Sequence, residues 1–358
     1  MNARAAAVLV VLLLVLGGGA LLYQRQEAER RPADLGELGQ PVIKNLKVAD
    51  IAAIRITAPG STLTLQRKDA GWVIAEREGF PADAGKVRQF VLDAIELKIG
   101  QTLPIGEKAR PRLNLDSASG TQVIFNAVDG KVLATLLVGK KYFKREPDSP
   151  DKAPGDGRYV MLPSDTKTAF VISNPLAQAS TRTADWIDRA SFQVEKVKSL
   201  ELRFADGSGW RIERAADNAD WKLAGARPGE KLEISKANAA SYSLSLLELA
   251  DVAPKDAADT GLDHPTVVKA ATLDGLAYEI KVGKLQGDNY YVSFRPSGEL
   301  RKDAGGDKDR AERIKKIEAR QPREKLLSEH VLLIPKSKLE DTLKKRADLL
   351  EKKAAAKK

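Results

Sequence analysis

The chain contains no cysteine and only two histidines, and these shortages exclude several classes of function. Without cysteine it can form no disulfide, carry out no thiol chemistry and carry no lipid-modified cysteine. With only His264 and His330, a three-histidine zinc site cannot form. We therefore predict no metal site, no cofactor and no catalytic residues, and we expect the protein not to be an enzyme. Carboxylate pairs that meet only in space leave a hydrolase as an open alternative.

One long apolar run occupies residues 5–22. As a helix this run would span roughly 27 Å, close to the thickness of the hydrocarbon core of a bilayer. It predicts a transmembrane anchor over residues 1–22, which would contact membrane lipid. A cleaved signal peptide is the alternative, because Gly18 and Ala20 supply small residues before a potential cleavage point. In either case we expect the bulk of the chain to be periplasmic or extracytoplasmic, as part of a single-pass protein of the inner (cytoplasmic) membrane.

The formal net charge of +10 is unevenly distributed, because most of it lies in residues 301–358. The interleaved acidic and basic residues of this region are typical of a solvated, mixed-charge helical surface. Contact with anionic lipid or with an acidic partner is the alternative. A nucleic-acid partner is not expected.

Two halves of the chain repeat the same landmarks in the same order. Apolar residues alternate with polar residues in both halves, which predicts antiparallel strands. A helical pattern follows each set of strands. In the second half it places Ala239, Tyr242, Leu246 and Leu249 on one apolar face. The alternating residues are Ile54, Ile56, Leu63, Leu65, Trp72 and Ile74 in the first half, and Leu200, Leu202, Phe204, Trp210, Ile212, Trp221 and Leu223 in the second.

Paired tryptophans and paired glycines mark corresponding points of the two halves. We expect Trp72 and Trp221 to be core residues whose indole N–H groups find backbone acceptors, with ligand stacking as the alternative. Gly139 and Gly283 each stand between valine and lysine and are predicted to form tight turns.

Paired acidic residues form another landmark. Asp116 and Asp263 each follow a leucine and are predicted to bind their own backbone in turns. A related pair of acidic binding sites is the alternative. His264 precedes Pro265, which favours an extended loop over a ligand role.

On these motifs the chain resembles the uncharacterised bacterial family called domain of unknown function 4340. The resemblance implies an extracytoplasmic repeat protein associated with an ABC-type transport system related to gliding-motility exporters, and it implies no established activity. The first half departs from the pattern, because it lacks the Gly-Leu-Asp-x-Pro form of the second. The motifs are Gly71-Trp72-Val73-Ile74, Phe80-Pro81-Ala82-Asp83, Gly261-Leu262-Asp263-His264-Pro265 and the two Val-Gly-Lys triplets.

We predict an α+β fold, in which an N-terminal transmembrane helix precedes two tandem repeats, each an antiparallel sheet packed with a helix. The expected organisation is an anchor (1–22), a stalk (23–45), a first repeat (46–190), a second repeat (191–350) with a charged insertion around 301–325, and a tail rich in lysine and alanine (351–358).

The leading hypothesis is an interaction or scaffold subunit that binds membrane-protein partners of an ABC-type complex. The alternative is an envelope ligand-binding module for glycan, lipid or peptide. A groove lined by Tyr290, Tyr291 or the tryptophans would favour that alternative.

Overall fold

A computed structural model describes residues 37–189, 191–302 and 307–351. The chain forms two compact units. The first runs to Val73 and resumes over Ala84–Asp185, whereas the second contains Ile74–Asp83 and continues from Trp186. Short 3-10 helices lie at Val48–Asp50, Ala75–Arg77, Glu107–Ala109, Pro111–Leu113, Ser243–Leu246 and Arg346–Leu349.

Strands dominate the described residues. Up to the end of the first unit, the elements are β1 (Ala53–Ala58), β2 (Ser61–Lys68), β3 (Gly71–Ile74), β4 (Phe80–Pro81), α1 (Ala84–Ile95), β5 (Ile99–Pro104), β6 (Thr121–Asn126), β7 (Val132–Tyr142), β8 (Gly157–Met161) and β9 (Thr168–Ile172). From there the elements are α2 (Thr183–Trp186), β10 (Ser191–Phe192), β11 (Val197–Arg203), β12 (Gly209–Glu213), β13 (Lys222–Leu223), α3 (Ile234–Tyr242), β14 (Leu247–Glu248), β15 (Asp251–Val252), β16 (Thr266–Thr272), β17 (Leu276–Gln286), β18 (Asn289–Gly298), α4 (Lys308–Ser328), β19 (Leu332–Pro335) and α5 (Lys336–Leu339).

The sheet of the first unit has its strands in the order β3-β2-β1-β6-β7-β8-β9-β5. Ile54 in β1 lies opposite Leu65 in β2 and Phe125 in β6, and all three side chains are fully buried. Helix α1 adds Val87 and Phe90 to this core, and the Phe90 ring stacks on Phe125 with the ring centroids 6.3 Å apart. The apolar positions predicted to alternate in β1 and β2 therefore form one buried face.

The second unit repeats this topology with the order β13-β12-β11-β16-β17-β18-β19-β15. Leu200 in β11 lies opposite Ile212 in β12 and Ala270 in β16, and all three are buried. Helix α4 contributes Ile314 and Ile317 to the buried residues. Asp307 caps this helix, because its side chain accepts a hydrogen bond from the Arg310 amide.

The segment Ile74–Asp83 lies in the first half of the sequence but packs within the second unit. Arg77 forms an ion pair with Asp251 at 3.2 Å, and both side chains are mostly buried. Phe80 is fully buried and contacts the His330 ring edge-on, with the centroids 5.2 Å apart. The second unit is thus completed by a piece of chain that precedes it in sequence.

The predicted α+β class is wrong, because two large antiparallel sheets dominate and helices are few. Helix α5 shows the reason, because it covers only Lys336–Leu339 although leucines recur from Leu339 to Leu350. Leu339 and Leu349 are fully buried, but they reach the core from a largely irregular segment rather than from one helix face. The spacing of these buried leucines therefore resembles that of a helix although the segment is not one.

The same prediction includes a transmembrane helix, which no described residue tests. Residues 1–22, on which it was placed, lie outside the described residues. Within the described ranges no helix is long and apolar enough to cross a bilayer.

Candidate functional site

The two Val-Gly-Lys glycines lie inside long strands, so the turns predicted there are wrong. A Cβ on Gly139 would lie 2.3 Å from the Leu113 carbonyl oxygen, and one on Gly283 would lie 2.1 Å from that of Thr260. Each glycine allows the backbone of a crossing loop to lie directly against its strand. The Lys284 amide, which donates to the Thr260 carbonyl at 2.8 Å, fixes the second crossing.

The acidic residues of these loops do not form two equivalent sites. Asp116 accepts hydrogen bonds from the Ser119 hydroxyl at 2.7 Å and from the Ser119 amide at 2.8 Å. These bonds, the Ser119 hydroxyl first, lower the pKa of the Asp116 carboxyl, so it acts as a turn-forming anion. Asp263 is largely exposed, and its carboxylate lies 3.9 Å from the ring of His264, which is also exposed.

A groove of about 680 Å³ on the second unit is the best candidate site. It lies between the chain entering β11, the turn after β12 and helix α3. We name it the α3 groove after this helix. Its lining residues are Val194, Glu195, Lys196, Val197, Arg214, Asp217, Asn238, Ala239, Ser241, Tyr242 and Ser245.

A hydrogen-bonded aromatic residue supports the α3 groove. Trp221 is buried, as predicted, but its indole N–H donates to the side-chain oxygen of Asn238 at 2.9 Å rather than to a backbone acceptor. The Arg214 guanidinium lies 4.7 Å from the centroid of the Trp221 ring, a cation–π distance. Trp72, in contrast, is only partly buried. The structure therefore does not place Trp72 in the core as predicted.

Three charged side chains meet at one end of the α3 groove. Arg214 donates to the Val197 carbonyl at 2.8 Å and to the Asp217 carboxylate at 2.8 Å, and Lys196 forms a second ion pair with Asp217. Burial alone would raise the pKa of Asp217, but the hydrogen bonds and charges of Lys196 and Arg214 outweigh it and lower that pKa. Asp217 is therefore an anion that two cations share.

The rim of the α3 groove carries exposed apolar side chains. Tyr242 is 79% exposed and Leu246, one helical turn further on, is 46% exposed. Both belong to the apolar face predicted for this helix, yet the buried positions are Ala237, Ala240 and Leu244. The sequence pattern thus identified a helix and an apolar face, and two side chains of that face are exposed in the structure.

The first unit lacks the polar residues of this groove although it keeps the scaffold. Ile54 pairs with Leu65 as Leu200 pairs with Ile212, and each pair is followed two residues later by an arginine. That arginine, Arg67, donates to a backbone carbonyl at 3.2 Å, as Arg214 does.

Positions near these core residues differ in charge and in side-chain shape between the first unit and the second. The position four residues before Ile54 holds Asp50, whereas Lys196 holds the same position before Leu200. Helix α1 has Leu92 two residues after the buried Phe90. Helix α3 has Tyr242 two residues after the buried Ala240. All residues that line the α3 groove belong to the second unit.

A second cleft, of about 520 Å³, lies between helix α4 and strands β17 and β18. Glu324, which lines it, accepts a hydrogen bond from the Tyr278 hydroxyl at 3.0 Å and lies 3.1 Å from Arg320. Burial, opposed by the charge of Arg320, raises the pKa of Glu324, and burial also raises that of Tyr278. These groups tie α4 to the sheet, because Arg320 also donates to Gln193 at 2.8 Å.

The other predicted residues do not form a site together. Tyr291 is buried among apolar residues of the second unit, and Tyr290 is partly buried; neither lines the α3 groove. Among the residues that the structure describes, no cluster of three histidine or acidic side chains is arranged to hold a metal ion.

Comparison with known proteins gives one match. No curated protein and no solved structure shows significant similarity to the chain. The family described as Domain of unknown function (DUF4340) matches residues 72–265, a stretch that includes helix α3 and every residue of the α3 groove. Because this match covers more than half of the chain, the protein belongs to the DUF4340 family.

Proposed function

We propose that the protein is a non-catalytic interaction subunit that binds a partner protein through the α3 groove. The partner is a membrane protein of an ABC-type transport complex. Family resemblance is the only support for that identity, while the structure of the second unit is the support for the binding surface.

The observation that carries the proposal is the exposed face of the chain from Ile234 to Leu246. Ile234, Tyr242 and Leu246 are all exposed, and Lys236 is the only charged residue between the two ends. Exposed apolar side chains on a weakly charged helix, next to a groove, are typical of protein-binding surfaces. Tyrosine in particular is enriched among the residues that dominate binding energy.

The proposal also includes where the protein is held in the cell. The apolar run over residues 5–22 supports a protein held at the cytoplasmic membrane, and we place its bulk on the extracytoplasmic side. The rigid antiparallel sheet behind helix α3 would then present the groove to a partner in the same membrane.

Affinity purification from gently solubilised native membranes tests the proposal. The full chain should recover a membrane subunit of an ABC-type transporter, identified by mass spectrometry. The double substitution Tyr242→Ser and Leu246→Ser should abolish that recovery. Val128→Ser is the matched control, because Val128 is 86% exposed on the first unit. Recovery that is equal for all three proteins would contradict the assignment of the surface.

A ligand-binding role is the second candidate. The polar side chains of Asn238, Ser241 and Ser245 beside exposed Tyr242 would suit the hydroxyl groups and the apolar face of an envelope glycan. Isothermal titration of the full chain with fragments of envelope glycan tests this role. Saturable binding that Tyr242→Ser removes would support it, and the absence of any heat of binding would reject it.

A further inference from the structure

Lys196 adopts a backbone conformation that its side chain disfavours. Its φ is +51°, in the left-handed region, where glycine, asparagine and aspartate are the usual residues. The sheet imposes this conformation, since the Leu273 amide donates to the Lys196 carbonyl at 2.8 Å. A lysine is therefore retained at a position where glycine would be less strained.

Packing does not explain the lysine. Leu176, another residue with positive φ, is buried and contributes to the core, but the side chain of Lys196 is 38% exposed and faces the α3 groove. A strained backbone conformation that brings no packing benefit indicates a role for the side chain.

The charge of the α3 groove indicates what Lys196 would bind. Arg214 binds both the carboxylate and the backbone carbonyl of Asp217, and Lys196 binds the same carboxylate. Glu195 also lines the groove, but its carboxylate lies 2.8 Å from Arg320, which is not a groove residue. Within this cluster two cations, Lys196 and Arg214, thus share a single carboxylate, which leaves room for a second carboxylate on Lys196.

We propose that the α3 groove binds an extended acidic segment of the partner protein. A carboxylate of that segment takes the place of Asp217 as the partner of Lys196, while a neighbouring apolar side chain packs on Tyr242 and Leu246. This inference rests on the proposed function, and it specifies the chemistry of the partner: an aspartate or glutamate next to a bulky apolar residue.

Selection from a phage-displayed library of random nine-residue peptides on the full chain tests the inference. Selected peptides should be enriched in acidic residues adjacent to a bulky apolar residue. Lys196→Gly should weaken their binding by about tenfold, the loss of one charge-assisted hydrogen bond, whereas Lys196→Arg should retain it. The midpoint of urea unfolding should not fall in Lys196→Gly, because glycine relieves the left-handed strain.

The possible outcomes separate this inference from the proposed function. Binders that lose affinity in Tyr242→Ser but are not acidic, or that bind Lys196→Gly unchanged, would overturn the acidic segment while leaving the surface in place. Binders that are insensitive to Tyr242→Ser, or a failure to obtain any binder, would count against the surface itself. A lower unfolding midpoint in Lys196→Gly would overturn the argument from strain.

Discussion

The carbonyl oxygen of Thr260 occupies the space that a side chain on Gly283 would need: a Cβ there would lie 2.1 Å from it. Gly139 has the same relationship to the Leu113 carbonyl in the first unit, at 2.3 Å. In each unit a loop crosses the sheet where the strand has no side chain. This arrangement links the repeated Val-Gly-Lys motif to a structural requirement that both units share.

Alanine at either glycine should destabilise its own unit. A backbone carbonyl cannot move aside as a flexible side chain can, so Gly283→Ala and Gly139→Ala should each cost about 1–3 kcal/mol or more. Urea unfolding of the two variants measures the loss. Gly106→Ala is the control, because a Cβ there meets nothing within 4 Å and the φ of −81° suits alanine. A loss of stability in Gly106→Ala that is absent from the other two variants would refute the explanation by close carbonyl contact.

Phe80 should stabilise the second unit although it lies in the first half of the sequence. The side chain is fully buried, contacts the His330 ring and has the Arg323 guanidinium 5.6 Å from its centroid. Phe80→Ala should therefore cost about 3–5 kcal/mol. Hydrogen exchange should show the loss of protection in strands β16 to β19. Exchange that increases only around β1 and β2 would show that the segment supports the other unit instead.

Trp221 and Asn238 should be energetically coupled across the floor of the α3 groove. Trp221→Phe removes the indole donor of the hydrogen bond to Asn238, which should cost about 1 kcal/mol. Asn238→Ala should cost much less in the Trp221→Phe background than in the unaltered protein. Thermal unfolding of the two single variants and the double variant gives this coupling. Strictly additive losses would mean that the bond contributes nothing.

Glu230 should titrate at an unusually low pH. Its carboxylate accepts hydrogen bonds from Arg346 at 2.7 Å and from the Arg227 amide at 2.9 Å, and these lower the pKa of Glu230 to about 2. The folded pKa is below the ordinary value of 4.5. The pair therefore stabilises the fold fully above that value and ceases to do so as the pH falls through about 2.

A carbon-13 chemical-shift titration of the Glu230 carboxyl checks this value. The midpoint should move back towards 4.5 in Arg346→Ala, because that substitution removes the largest cause of the shift. A midpoint near 4.5 in the unaltered protein would show that the hydrogen bonds do not persist in solution.

Strands β1, β2, β11 and β12 were predictable because buried residues alternate with more exposed ones along each strand. Ile54 and Leu65, or Leu200 and Ile212, alternate with polar neighbours and lie opposite each other in the structure. The sequence does not show how far such strands extend into one sheet, so the predicted balance of sheet and helix was wrong. The segment around Phe80 was equally unpredictable, because nothing local to it indicates which core it enters.

The α3 groove was beyond sequence reasoning for a different reason. Tyr242 and Leu246 have the helical spacing of core residues, and only the position of helix α3 on its sheet leaves them exposed. The conformation of Lys196 is likewise set by its hydrogen bond from Leu273, which is distant in sequence. Both features become visible only when the sheet register is known.

Site-specific photo-crosslinking in native membranes is the most direct test of the proposed function. A photoreactive phenylalanine analogue at position 242 should form a crosslink to a membrane subunit of an ABC-type transporter, identified by mass spectrometry. The same analogue at position 128, on the first unit, should not form that product. An identical product from both positions, or a product from position 242 that contains only lipid or glycan, would contradict a protein-binding surface at the α3 groove.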